Sequence, residues 1–187
     1  MELRALDINS DPAVCQRARQ LYLQAFPKEE RLPWWVLRLQ AKRRDIDLTA
    51  WMEGDTFCGF TCGVTVEGLH FLLFFAVAEP ERSRGYGSAV LKQLREKYGS
   101  LVLNVETLEP EASNYAQRLR RLRFYQRNGL QDTGWFVWEV GGRFRVLCTE
   151  PELDVKAYRK IFRRLTLGIW RVKLKPDSKG AYYMEIR

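Results

Sequence analysis

The stretch "LHFLLFFAVAEPERSRGYGSAVLKQLREKYGSLVLNVE", Leu69 to Glu106, decides how this chain folds. Its first nine residues are nearly all apolar, as in a strand buried on both faces in the middle of a sheet. After a loop with two glycines one residue apart, Leu91, Leu94 and Tyr98 recur at helical spacing, and Gly99 stands where a helix C-terminus is capped. "LVLNVE", Leu101 to Glu106, reads as another buried strand. Strand, helix and strand in this order form a βαβ unit with parallel strands. Ligands of such sheets sit beyond the strands' C-terminal ends.

Upstream, Asp11 and Pro12 open a helix with Val14, Ala18, Leu21 and Ala25 on one face, and Pro27 closes it. A second helix starts at Pro33 with "WWVLRLQAK", where Trp34 and Trp35 belong either to the core or to a pocket wall. "DLTAWMEGDTFCGFTCGVTVEG" is a hairpin around Gly54 and Asp55. Downstream, a helix runs from about Asn114 to Asn128 and stops at Gly129. "DTGWFVWEVGGRFRVLCT" is then an antiparallel hairpin around a Gly-Gly turn that finishes the sheet. From Pro151 a final helix with Val155, Tyr158, Phe162 and Leu165 on one face leads to Gly168 and a basic, aromatic tail.

With 187 residues, 46% of them hydrophobic, the chain is long enough for a packed core. We expect one domain at 1–150, with the C-terminal helix and tail, 151–187, packed on it. No apolar run reaches the ~18 residues of a membrane span, so the expected setting is cytoplasmic with no membrane partner. Cys15, Cys58, Cys62 and Cys148 are scattered without metal-ligand spacing and read as buried thiols, so no metal is expected. A net charge of +8 favours an anionic partner without naming it.

The glycine loop narrows that choice, because a helix N-terminus presents unpaired N–H groups and positive potential to an anion. Glycines let a pyrophosphate approach the backbone and permit positive φ angles. The nucleotide-hydrolase pattern GxxxxGK[ST] is absent. The dinucleotide pattern GxGxxG fails at its third glycine, which is Val90 here. What remains is R-x-x-G-x-G after a strand ending in "AV", and "FAVAEPERSRGYGSAVLKQL" resembles the pyrophosphate-binding motif of the GNAT superfamily of acetyl-CoA-dependent N-acetyltransferases. "RRLRFYQRNGL", Arg120 to Leu130, is similar to that superfamily's later motif, in which an aromatic pair on a helix precedes a glycine. The two motifs cover roughly Leu69 to Thr149.

The resemblance implies a mixed α+β fold, mostly antiparallel, with one parallel βαβ unit splayed to bind acetyl-CoA and helices on both faces of the sheet. It implies that the pantetheine arm pairs with the strand end at Phe75, Ala76 and Val77. The pyrophosphate then falls to the backbone from Ser83 through Ser88, including Tyr86, with Gly85 and Gly87 permitting approach and Arg82 or Arg84 adding charge. Asn114 is a further cofactor-side candidate. Tyr125 aligns with the tyrosine that protonates the departing thiolate. At ordinary pKa values that transfer is uphill by about 2 kcal/mol. Glu106, ending the second strand, is the first candidate to take the amine's proton, although Asn104 stands where some members carry Glu. Glu29 and Glu30 are candidates for holding a cationic acceptor. Arg120, Arg123 and Arg127 form a stripe that faces either the 3′-phosphate of CoA or solvent.

The expected reaction is transfer of acetyl from acetyl-CoA to a primary amine of a small molecule or peptide, by direct attack. Two alternatives stay open: a basic nucleic-acid-binding protein, less favoured because it gives the glycine loop no role, and a CoA-binding regulatory module without catalysis. A homodimer is compatible with the sequence.

Overall fold

The computed structural model describes residues 2–139, 142–165 and 173–177. Cα packing divides the chain into two compact units, 1–99 and 100–187. Together they carry eight strands and five α-helices among the described residues, in a mixed α+β, mostly antiparallel fold.

In the first unit, strands β1 (Arg4–Asp7), β2 (Ile46–Glu53), β3 (Thr56–Val66) and β4 (Leu69–Val77) pair antiparallel in chain order. Side chains alternate across such a sheet, and its two faces are covered by different helices. Helices α1 (Pro12–Ala25) and α2 (Trp34–Gln40) cover one face, where Tyr22 and Leu37 join Leu48, Ala50, Phe60 and Phe74 in a single apolar cluster. Tyr22 is its hub: its ring meets Phe26, Trp34, Phe60 and Phe74 at centroid distances of 5.0–6.1 Å. Its hydroxyl donates to the Leu32 carbonyl at 3.1 Å, satisfying the one polar group it buries. Asp11 caps α1 through the N–H groups of Ala13 and Val14.

Helix α3 (Tyr86–Tyr98) covers the other face with Val90, Leu91 and Leu94. Gly99, at φ 79°, ends it as the sequence indicates. His70 lies wholly buried there, stacked on Tyr98 at 3.9 Å, with Nδ1 2.9 Å from Thr65 Oγ1. Asp47 approaches its other nitrogen at 3.8 Å, yet among the described residues neither His70 Nε2 nor Asp47 Oδ2 has a hydrogen-bond partner.

The second unit begins with β5 (Ser100–Glu106) and α4 (Tyr115–Arg127) and continues with the hairpin β6 (Gln131–Glu139) and β7 (Gly142–Cys148). Its strand order is β5-β7-β6-β8, because a short strand β8 (Lys173–Pro176) pairs with β6. The hairpin therefore does not finish the sheet as expected. Strands β1 and β8 escape periodicity analysis because each has only four residues. Helix α5 (Val155–Leu165) starts four residues after Pro151, where Asp154 caps its first turn, and buries Ala157, Tyr158 and Ile161. Gly141 of the expected Gly-Gly turn, its neighbour Val140, Gly168 and most of the tail lie outside the described residues.

Burial raises the Asp47 carboxyl to about 6 and lowers His70 to about 3. A carboxyl raised above its unfolded value loses its stabilising contribution as pH rises through 4 to 6, whereas the histidine acts against the fold as pH falls from 6.5. We therefore expect Asp47→Asn to stabilise the protein by about 1–2 kcal/mol at pH 7. The gain should vanish near pH 4, as urea unfolding at the two pH values will show.

Candidate active site

The first group of candidates lies on the connection from β4 to α3. Strand β4 ends at Phe75, Ala76 and Val77, whose β3-side partners are Thr61, Phe60 and Gly59. A one-turn 3-10 helix, Glu79–Glu81, follows, and then the backbone turns left-handed twice, at Ser83 (φ 64°) and Gly85 (φ 87°). Gly85 takes this conformation at no steric penalty, whereas Ser83 holds it against its Cβ. Gly85 is also the N-cap of α3 and provides no side-chain cap. Helix geometry leaves the first N–H groups, Tyr86 through Ser88, without intrahelical acceptors. Arg82, Ser83, Arg84 and Gly85 are exposed, so the loop offers amides at the positive end of a thirteen-residue helix.

The two arginines of the loop are not equivalent. Arg84 is ion-paired at 2.6 Å with Glu81, whose side chain is only 12% exposed, and its guanidinium lies 5.5 Å from the Tyr86 ring. Arg82 meets Glu79 loosely at 3.9 Å, both side chains being largely exposed, and donates to the Val77 carbonyl at 3.4 Å. Tyr86 turns inward, 2% exposed, and its hydroxyl donates to Glu53 at the end of β2. Glu53 is invisible to motif reading, since it lies 33 residues before its partner. Glu81 is within reach of such a reading through its i,i+3 spacing to Arg84.

The second unit holds the other candidates. Glu106 ends β5, with one carboxylate oxygen 3.3 Å from Arg118 Nε and the other accepting from Arg121 at 2.5 Å. Asn114 precedes α4 and is engaged at both ends of its amide: it donates to Glu106 at 3.3 Å and accepts from Arg118 at 2.8 Å. Tyr125 projects from the same helix, 9% exposed, with the Phe124 ring at 5.2 Å. Burial pushes its phenol up to about 12, against a smaller lowering by the Arg121 charge. With a thiol near 8.5, complete proton transfer from this phenol is uphill by about 5 kcal/mol, more than the ~2 kcal/mol expected from ordinary values. Tyr125 is thus suited to donating a hydrogen bond to a sulfur rather than to giving up its proton.

Asn104 is occupied as well: it donates to Glu139 on β6 and accepts from the Tyr158 hydroxyl at 2.9 Å. Arg120, Arg123 and Arg127 are all exposed on α4. Most of the net charge lies in this unit: 100–187 has 17 Lys and Arg against 10 Asp and Glu, a net of +7, and 1–99 has 14 against 13.

Glu29 and Glu30 sit on a one-turn 3-10 helix after α1, Glu29 exposed and Glu30 half-buried. The tryptophan pair divides. Trp34 packs on Tyr22 and Phe60 while Trp35 is 68% exposed, and both line an open groove of about 500 Å³ with Cys15, Arg19 and Arg38. All four cysteines are free and buried. Among the described residues there is no cluster of three or more potential metal ligands, and no helix is long and apolar enough to cross a membrane.

The model of the Acetyltransferase (GNAT) family matches residues 15–130, more than half of the chain, a span that includes the loop from Arg82 to Ser88 and helix α4. The chain belongs to the GNAT acetyltransferase family. A GNAT-family protein from Bacteroides thetaiotaomicron is similar over 91% of this chain and 100% of its own, at 22% identity and a TM-score of 0.67. An aminoglycoside 6′-N-acetyltransferase solved with coenzyme A is 14% identical over 82% of this chain and 100% of its own, with a TM-score of 0.63. The ribosomal-protein-S18-alanine N-acetyltransferase from Escherichia coli is 15% identical over 82% of this chain and 95% of its own, with a TM-score of 0.58. At these identities the likeness is one of fold. No curated protein matches the chain.

Because Gly85 is left-handed at the start of α3, Gly85→Ala is expected to destabilise this GNAT protein by about 1 kcal/mol, the usual penalty for a Cβ in that region. Chemical denaturation of the variant beside wild type checks this.

Proposed function

We propose that the chain transfers the acetyl group of acetyl-CoA to a primary amine by direct attack. The observation that carries the proposal is the loop from Arg82 to Ser88, which is exposed from Arg82 to Gly85 and leads into the first amides of α3, which no side chain caps. The donor's pyrophosphate is assigned to these amides, with Gly85 and Gly87 leaving room for it. Its pantetheine arm is assigned to the end of β4 at Phe75, Ala76 and Val77. Arg82 is the side chain available to add charge, since Arg84 already serves Glu81.

In the reaction the amine nitrogen forms a bond to the thioester carbonyl carbon, the carbon–sulfur bond then breaks to release the CoA thiolate, and the nitrogen's extra proton passes to solvent. Backbone N–H groups stabilise the oxyanion. Tyr125 donates a hydrogen bond to the departing sulfur, and its raised pKa keeps it a neutral phenol through the working pH range. An alkylammonium acceptor, with a pKa near 10, must lose a proton before attack. Glu106 is the candidate for taking it through water, on a lone pair that Arg118, Arg121 and Asn114 leave open. The same contacts support a second role, holding β5 against α4, the helix that carries Tyr125. The acceptor is assigned no further than a primary amine of a small molecule or peptide, and Glu29 and Glu30 are proposed to meet its positive charge.

Calorimetry with acetyl-CoA, followed by an amine panel read by thiol release, tests the proposal. Saturable binding and CoA release with at least one amine are expected, and no binding at tens of micromolar overturns it. Tyr125→Phe should lower kcat about tenfold or more while leaving donor affinity within twofold. The ratio of mutant to wild-type kcat should stay constant from pH 7 to 10, because the phenol titrates above that range. Unchanged turnover would remove Tyr125 from the mechanism, whereas acetyl-CoA binding without CoA release for any amine would leave only a CoA-binding module. Glu106→Gln should reduce kcat without altering acetyl-CoA affinity if the carboxylate takes the proton. Loss of affinity as well would assign Glu106 to holding α4.

A further inference from the structure

The phosphate loop contains a conformation that needs a cause. Ser83 is left-handed although serine gains nothing from it, and Gly85 follows in the same region two residues later. A left-handed residue other than glycine persists only where the surroundings over-determine it. Backbone bonds account for part of the restraint: the N–H groups of Glu81 and Arg82 donate to Ala78 and Glu79, closing the one-turn helix before the loop. They stop short of Ser83.

The remaining restraint comes from side chains behind the loop. Tyr86 occupies the position between the two glycines and is the only residue from 82 to 88 whose side chain is buried. Its hydroxyl reaches the carboxylate of Glu53 on β2, across β3 from β4. The Arg84 guanidinium lies 5.5 Å from the ring and pairs with Glu81, so that Glu81, Arg84, Tyr86 and Glu53 are connected in series. This series pins the first turn of α3 and the residue before Gly85 to the sheet. It also commits the Arg84 charge to Glu81.

We propose that Glu53, acting through the Tyr86 hydroxyl, is the positioning residue of the phosphate loop, and that Arg84 braces this loop from behind while Arg82 is the arginine that reaches the ligand. This rests on the reading of the loop as the acetyl-CoA pyrophosphate site. The chemistry requires an acceptor at Glu53, not its charge. Glu53→Gln therefore keeps the device, whereas Glu53→Ala removes the acceptor and Tyr86→Phe removes the donor.

The test has two parts. In the protein without ligand, amide hydrogen exchange of the peptide spanning 82–90 is compared among wild type, Tyr86→Phe, Glu53→Ala and Glu53→Gln. Faster exchange in the first two variants and near wild-type exchange in the third is expected. Calorimetry then compares CoA with pantetheine, which lacks the pyrophosphate. Tyr86→Phe and Glu53→Ala should weaken CoA about tenfold or more while changing pantetheine less than twofold, and Glu53→Gln should stay within about threefold for both. Arg82→Met should weaken CoA more than Arg84→Met does. If wild type binds no CoA, the functional reading fails and the exchange result alone decides whether Glu53 shapes the loop. If wild type binds CoA and Tyr86→Phe matches it in both measurements, the positioning role is overturned while the acetyl-CoA site stands. Equal loss of CoA and pantetheine assigns the effect to general destabilisation and also overturns it.

Discussion

Helix α3 can begin where it does only because the backbone turns left-handed immediately before it. That turn at Ser83 and Gly85 ends the direction set by β4 and leaves the first amides of the helix with no acceptor of their own. Everything assigned to the donor site in the first unit follows from this constraint. The buried strand brings the chain to the edge of the core, the helix dipole points its positive end outward, and the glycines keep the approach free of side chains. A residue with a Cβ at Gly85 would work against the turn itself.

The loop arginines show why charge counted from sequence is a poor guide to charge available to a ligand. Arg82 and Arg84 are two residues apart and look equivalent in a motif, yet one is loosely held at the surface and the other is paired with a largely buried carboxylate. The second unit repeats the lesson. Glu106 has no neighbour in the sequence that would commit it, but Arg118 and Arg121 reach it from α4 because residues three apart on a helix share a face. A carboxylate so engaged has one oxygen to each guanidinium, and its chemistry depends on what those contacts leave open.

Tyr125 illustrates how burial alters a role without moving a residue. Its motif places it on a helix, and α4 does carry it, but removal from water raises its phenol and deepens the gap to a thiol. In the proposed reaction this makes Tyr125 a donor that stabilises a leaving sulfur without surrendering the proton. Membership of the GNAT family fixes the kind of chemistry in question, and neighbours of the same fold named for an aminoglycoside and for a ribosomal-protein alanine show how little that fold says about the acceptor.

Local pattern was enough for the succession β4, α3, β5, for both hairpins, and for the helix stops at Gly99 and Gly129, because apolar spacing and glycine placement act over a few residues. The candidate loop was legible for the same reason: its glycines, arginines and flanking strand and helix are contiguous. Strands β1 and β8 were not, since four residues are too few to show a period and an edge strand is defined by its partner. What only the tertiary structure decided was partnership between residues far apart in the chain. Glu53 meeting Tyr86, Asp47 meeting His70 and Tyr98, Asn104 meeting Glu139 and Tyr158, and the division of Trp34 from Trp35 all depend on which strands and helices are packed together, a matter of burial and register that no short window of sequence contains.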